Sequence, residues 1–423
     1  MRRTCAALGV IVFLVALRPD GAAAFDEFSD KRSPTHFMLT AKDLTLTIKG
    51  ELELEFHDIE GRGGPGHDSP TDRKTLGTRS PFVEIDGFWL ALRVGLGQHV
   101  GVFSVLEFRP DGAGVGAVWA DARWTGPARF AHHVEAGYHT PIVKIDRRTE
   151  RYPLIATAFW RESELHLAYE ARALLAHRVQ LDLGASLAMM RPLDLAGVQE
   201  SESQAGTINV LGLGPARTLS GGGPVGGGRL GLDVYGAFLE GFGFVGRLAA
   251  EGGTDVLRSA LPNYRHLDAY HEGNAYGDFF WAGGRVGYRG QGVHAWVEGI
   301  VSREDLLRRW GAYAQASFRI PLPVPGDWLP AIEPLVRVET FRIIGGDRVQ
   351  ASGHALRSTA PANAASWDHE ALTLALIFEV FRDLFRVRVE YSFLRERNGV
   401  PGLDVSNEPF RNDELLVQLE LRF

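Results

Sequence analysis

The chain has 423 residues, 50 of them glycine, a single cysteine and a formal net charge of −7. That balance excludes a basic nucleic-acid binder. Past the first 24 residues no apolar run approaches the roughly 18 needed for a helical membrane span, so that class is excluded as well.

The chain begins Met1, Arg2, Arg3, runs apolar from Cys5 to Leu17, and reaches Ala22-Ala23-Ala24 before Phe25. A basic start, a short apolar core and a small-residue site predict a secretory signal peptide over 1–24. Cys5 precedes the apolar core, so it is not a lipidation site, and it leaves with the leader. The mature chain is then cysteine-free, which excludes disulfides, thiolate metal sites and cysteine nucleophiles. The leader is net basic, so the mature chain is more acidic still. Residues 25–43 read as a polar, irregular lead-in.

From residue 44 the pattern changes to strict alternation. Leu44, Leu46, Ile48, Leu52, Leu54 and Phe56 interleave with Thr45, Thr47, Lys49, Glu51, Glu53, Glu55 and His57. Period two with one apolar face is a β-strand. Three successive glutamates on the other face suit water rather than a dry core. Strands of this kind are predicted at 44–57, 81–95, 98–109, 115–125, 130–141, 163–175, 178–190 and 228–239. They continue at 241–250, 278–288, 292–302, 309–320, 331–343, 369–381, 385–395 and 413–423. In the last, Leu415, Val417, Leu419, Leu421 and Phe423 share the apolar face, opposite Glu414, Leu416, Gln418, Glu420 and Arg422.

Strands of eleven or more residues are long for a soluble sandwich and suit a tilted membrane crossing of about 9–11 residues. Long connections at 58–80, 142–162, 191–227, 251–277, 344–368 and 396–412 fall at odd positions in the meander, as do the shorter 110–114 and 303–308. The even connections are short, apart from a proline-rich 321–330. Long loops at one end and tight turns at the other are the layout of a transmembrane barrel, with aromatics such as Trp124, Tyr288, Trp310 and Phe423 toward its rims. The predicted fold is therefore all-β. It is an antiparallel up-and-down transmembrane barrel of sixteen strands spanning 44–423, with a water-filled lumen and with 25–43 in the periplasm. Placing 152–160 in a loop preserves the alternation of connection lengths, and eighteen strands is the alternative. Glu414–Phe423 should close antiparallel on Leu44–Phe56.

With that layout the chain resembles bacterial outer-membrane porins. Its end, Leu416-Val417-Gln418-Leu419-Glu420-Leu421-Arg422-Phe423, looks like their terminal assembly signal, carried by Leu419, Leu421 and Phe423. Gly50-Glu51-Leu52-Glu53-Leu54-Glu55-Phe56 and Gly137-Tyr138-His139-Thr140-Pro141, leading into a long third loop, are most similar to the phosphate-selective porin O and P group. The resemblance implies a Gram-negative outer membrane, lipid around the barrel, the barrel-assembly machinery as partner, and room for a homotrimer. It implies passage of small ions and solutes without cofactor or catalysis, and a third loop, 142–162, folded into the lumen as a constriction. That loop carries Lys144, Asp146, Arg147, Arg148, Glu150, Arg151, Arg161 and Glu162, a basic excess that would favour anions such as phosphate. An external loop with solvated charges is the competing reading.

Parity directs Arg93, Arg109, Arg123, Arg172, Arg285, Arg319, Arg337, Arg386 and Arg388 into the lumen. It does the same for Glu51, Glu53, Glu55, Glu107, Glu135, Glu164, Glu298, Glu339 and Glu390. They either pair across strands or segregate into a transverse field. The mixed wall departs from the basic ladder of the phosphate-selective group. His266, Asp268, His271 and Glu272 match no metal-site spacing, so no metal is expected. Gly221–Gly223 and Gly226–Gly228 lack the following lysine of a phosphate cradle and read as flexible loop. A substrate-specific transporter is the main alternative function, and a barrel enzyme the remoter one.

Overall fold

The structure is a computed structural model. It describes residues 37–59, 81–97, 99–109, 112–126, 130–139, 142–143, 148–150, 153–155, 164–189, 224–248, 277–304, 307–324, 326–344, 367–382, 384–398 and 413–423.

The strands in chain order are β1 (Phe37–Ala41), β2 (Leu44–Ile59), β3 (Phe82–Leu96), β4 (Val100–Arg109), β5 (Gly112–Thr125) and β6 (Phe130–His139). There follow β7 (Glu164–Ala176), β8 (Val179–Met189), β9 (Pro224–Val234), β10 (Ala237–Leu248), β11 (Gly277–Gly290) and β12 (Val293–Glu304). The last are β13 (Leu307–Phe318), β14 (Ile320–Pro321), β15 (Trp328–Ile344), β16 (Trp367–Phe381), β17 (Phe385–Asn398) and β18 (Glu414–Arg422). Successive strands pair antiparallel, with β13 pairing β15 past the short β14, and β18 returns to β2, so the ladder closes. Sixteen strands make the wall. β1 and β14 are short pieces that continue the lines of β18 beside β2 and of β13 beside β15.

A single closed sheet leaves no edge of unpaired amides, which is what a backbone needs where lipid supplies no hydrogen bonds. Side chains obey the same logic in reverse of a soluble protein. On β15, Arg337 is 0% exposed while its neighbours Val336 and Val338 are 42% and 50% exposed. On β18, Gln418 and Glu420 are buried and Leu419 and Leu421 face outward. Leucines and valines form the outer face, and carboxylates, arginines and histidines the inner one.

At the seam, β18 pairs from Glu414 opposite Ile59 to Arg422 opposite Glu51. The ladder continues through Gly50, which exchanges amide bonds of 2.7 and 2.9 Å with Phe423. A Cβ on Gly50 would fall in the Phe423 ring, so the missing side chain lets that ring lie across β2, stacked on Phe88 at 6.0 Å. The closure expected over Leu44–Phe56 is therefore divided: β18 covers the far part, and β1 covers Leu44–Ile48. Phe37–Ala41 is thus a strand rather than part of an irregular lead-in. Strand stagger leaves the start of β2 beyond the reach of β18, and β1 caps that edge.

The turn expected near residue 240 lies at Tyr235–Gly236, whose φ values of 56° and 88° suit the tight hairpin that matches strand twist. Gly236 N donates to Asp233 Oδ1 at 3.0 Å. Gly226–Gly228 belong to β9 rather than a flexible loop. A Cβ on Gly228 would sit 3.7 Å from Ala185 Cα and closer still to the Gly184 carbonyl, so the glycine permits a tight backbone approach.

Val338 lies near the middle of β15 on the outer face. Val338→Arg should lower unfolding free energy by about 2–4 kcal/mol in liposomes, as measured by denaturant titration.

Candidate functional site in the lumen wall

The inner face carries alternating charge, and the arginines meet carboxylates on neighbouring strands. Arg93 and Arg123 both reach Asp121, at 3.5 and 2.8 Å. Arg172 bonds Asp182 at 2.7 Å, and Arg319 bonds Glu379 through two nitrogens at 3.0 and 2.7 Å. Glu240, brought into β10 by the turn at 235–236, receives Arg285 at 3.1 Å and Arg229 at 3.3 Å. Glu170 also takes Arg229, at 2.5 Å. Opposite charges are therefore interleaved around the wall, and the segregated arrangement is not what forms. Arg109 stands apart at the end of β4, half-exposed and 3.8 Å from Glu107.

The seam is tied on the inside by charge as well. His57 Nδ1 meets Glu414 at 2.9 Å across β2 and β18, and its Nε2 meets Glu55 at 3.0 Å and Glu84 at 3.2 Å. Gln418 donates to Glu55 at 2.9 Å, Arg422 reaches Glu51 at 3.2 Å, and Glu420 takes Arg386 at 3.7 Å and also Arg388 and Arg422. Glu53, 4% exposed, sits among them.

Parts of the third connection meet this wall. Near its start, Ile142 Cδ1 lies 3.2 Å from where a Cβ on Gly184 would stand, beside β8. Further along, Arg148 Nε donates to Glu333 on β15 at 2.6 Å, and Ser317 Oγ shares that carboxylate at 2.5 Å. Thr149 accepts from Arg337, which also pairs with Glu339 at 2.7 Å. Glu150 bonds Arg388 on β17 at 2.8 Å, and its amide donates to Glu390 at 2.5 Å. Leu154 N donates to Glu339 Oε2 at 2.6 Å. Leu154 and Ile155 are buried, and a Cβ on Gly311 of β13 would sit 2.5 Å from Ile155 Cγ2. The described pieces of 142–155 thus touch β8 on one side and β13, β15 and β17 on the other.

Of the loop residues singled out in the sequence, Arg148 and Glu150 are joined to the wall in this way. Lys144, Asp146, Arg147, Arg151, Arg161 and Glu162 lie outside the described residues, as do His266, Asp268, His271, Glu272 and Gly221–Gly223. Arg337, Glu339, Arg388 and Glu390 emerge as the receptors of the loop. Parity had turned them inward but could not pair them with it. Glu333, Thr149 and Glu240 were not anticipated: Glu333 stands between two prolines' reach in β15, and Glu240 was hidden by the misplaced turn.

Neither a protein-family model nor any curated protein matches the sequence. Solved structures do match. OprB of Pseudomonas putida superposes with a TM-score of 0.53 at 11% identity, covering 90% of this chain and 94% of its own. OmpT of Vibrio cholerae gives 0.51 at 9% identity, with 91% and 99% covered. An anion-selective porin from Comamonas acidovorans gives 0.50 at 11%, with 90% and 99% covered. The fold is that of outer-membrane porins, with its apolar belt turned outward as a lipid-facing barrel requires.

Because Cys5 is the only cysteine in the sequence, Ile155→Cys with Gly311→Cys in a chain starting at residue 25 supplies the only thiol pair. Their side chains are close enough for a Cβ separation of about 3.5–4.5 Å. Mild oxidation should form a disulfide that shifts gel mobility and reverts with reductant. A pair that stays reduced would place Ile155 away from β13.

Proposed function

We propose that the protein is a passive diffusion channel for small hydrophilic solutes and ions, with 142–162 as its constriction. The observation that carries this reading is the bonding of Arg148, Thr149, Glu150 and Leu154 to inward-facing groups of β15 and β17, with Ile142 beside β8. A segment touching both sides of the inner wall narrows the lumen. A barrel of this strand number is wide enough to keep a water path past it.

The finer reading is a lean toward anions. Arg148 and Glu150 are each neutralised by a wall partner, so the lean rests on Lys144, Arg147, Arg151 and Arg161 against Asp146 and Glu162. In a narrow channel with low-dielectric walls, a small excess of one sign concentrates the opposite ion. Phosphate selectivity in particular has less support, because the wall arginines face carboxylates instead of forming a basic ladder. Leu419, Leu421 and Phe423 are proposed as the assembly signal, presented on the outer face at the seam.

Reconstitution in planar bilayers tests the channel directly. Stepwise conductance is expected, with a reversal potential on the anion side in a salt gradient; an absence of steps would sink the channel. Arg147→Ala, Arg148→Ala and Arg151→Ala together should shift the reversal potential toward cations. Deleting Phe423 should reduce the heat-modifiable folded band on gels while leaving the conductance of surviving channels unchanged.

A further inference from the structure

On the inner face of β6 and β7, two histidines and a glutamate outside the network above converge on one point. Glu135 and His139 are four residues apart on β6, a span of about 13 Å along a strand. Yet His139 Nδ1 lies 3.7 Å from Glu135 Oε1. The residue between them on that face is Gly137, so no side chain separates the two. His166, opposite Gly137 in the β6–β7 ladder, enters the gap from the next strand and brings Nε2 to 3.0 Å from the same Oε1. One atom from each of the three lies within 4.8 Å of the other two, and all three side chains are buried.

The hydrogen-bond directions require a cation at this point. His166 Nδ1 is 3.1 Å from the backbone oxygen of His139. A carbonyl oxygen only accepts, so that nitrogen carries the hydrogen. In a neutral ring Nε2 is then a bare lone pair aimed at a carboxylate oxygen, with a second imidazole nitrogen nearby. Such a set is stable with a proton between ring and carboxylate, or with a metal ion.

We infer that Glu135, His139 and His166 form a site for a zinc-class divalent ion. Two imidazoles and one carboxylate favour a borderline transition ion over calcium or magnesium, which take mostly oxygen. Bonds of about 2.0–2.1 Å at tetrahedral angles hold donor atoms about 3.4 Å apart, and the observed 3.0 and 3.7 Å bracket that spacing. The surroundings already orient the ligands. The carbonyl fixes the tautomer of His166, and Trp119 lies against the His139 ring with centroids 3.8 Å apart. Three protein ligands leave the fourth position to water. His139 ends β6, so an ion here ties that strand to β7 where the third connection departs.

The folded mature protein, stripped with chelator and titrated in detergent with Co2+ and then Zn2+, tests the site. One equivalent of Co2+ should produce the visible absorption of a tetrahedral ion, and Zn2+ should displace it. His139→Asn, His166→Asn and Glu135→Gln should each weaken Zn2+ binding by at least ~100-fold while keeping the folded gel mobility. Absence of the one-to-one Co2+ band in folded wild-type protein would overturn the assignment, leaving a proton between the groups. Binding unchanged in both histidine variants would also overturn it, moving the ion to histidines elsewhere in the chain.

Discussion

Closure of the backbone ladder is the constraint on which the rest depends. Lipid offers no hydrogen bond, so every wall strand must be paired on both sides, and the β2–β18 seam joins the two ends of the ladder. Closure then dictates side-chain sorting, since alternate residues must face hydrocarbon or lumen. Leu52, Leu54, Leu419 and Leu421 face outward, and Glu53, Glu55, Gln418 and Glu420 face inward. Gly50 shows how closely the seam is drawn: it gives up its side chain so that the terminal aromatic can pair and lie flat.

Sending charge inward creates a second problem, which the wall solves by pairing. An isolated exposed ion pair contributes only about 0.2–1 kcal/mol, but removing one partner from a buried pair costs about 3–5 kcal/mol. Arg337 with Glu339, and Arg388 with Glu420, are buried ion pairs, so each constrains its neighbours. The same groups then receive Thr149, Glu150 and Leu154. The third connection docks by extending a network that the wall already needs. Arg148 and Glu150 spend their charge on wall partners in doing so.

Most of the fold was legible because the rule behind it has period two. The sixteen strands, the end carrying the long connections and the closure on β2 all follow from alternation and parity. Where glycine interrupts alternation the reading failed: Gly226–Gly228 resemble linker yet serve close packing in β9, and the run of glycines around Gly241 obscured the turn at Tyr235–Gly236. The site was legible only as direction. Parity turned Glu339, Arg388 and Glu390 inward, but bonds such as Glu150–Arg388, 238 residues apart, have no local signature. The Glu135–Gly137–His139 spacing had one, in a side-chain-free residue between two ligands, but only the neighbouring strand supplies His166.

The way the third connection docks also explains the residues beneath it. Irregular backbone at membrane depth survives only where its polar groups find partners in protein or water. The amides of Glu150 and Leu154 find them in Glu390 and Glu339, carboxylates that are themselves held by wall arginines or lie beside them. Leu154 and Ile155 cannot be satisfied that way, and they require a hollow in an otherwise charged surface. Gly311 supplies it between Arg309 and Tyr313, both almost fully buried on the same face of β13. A larger residue at 311 would push Ile155 off the wall and, through Leu154, strain the bond to Glu339. The glycine on β13 and the carboxylate on β15 therefore act as one receptor, apolar at one end and charged at the other, for two consecutive residues of the connection, Leu154 and Ile155.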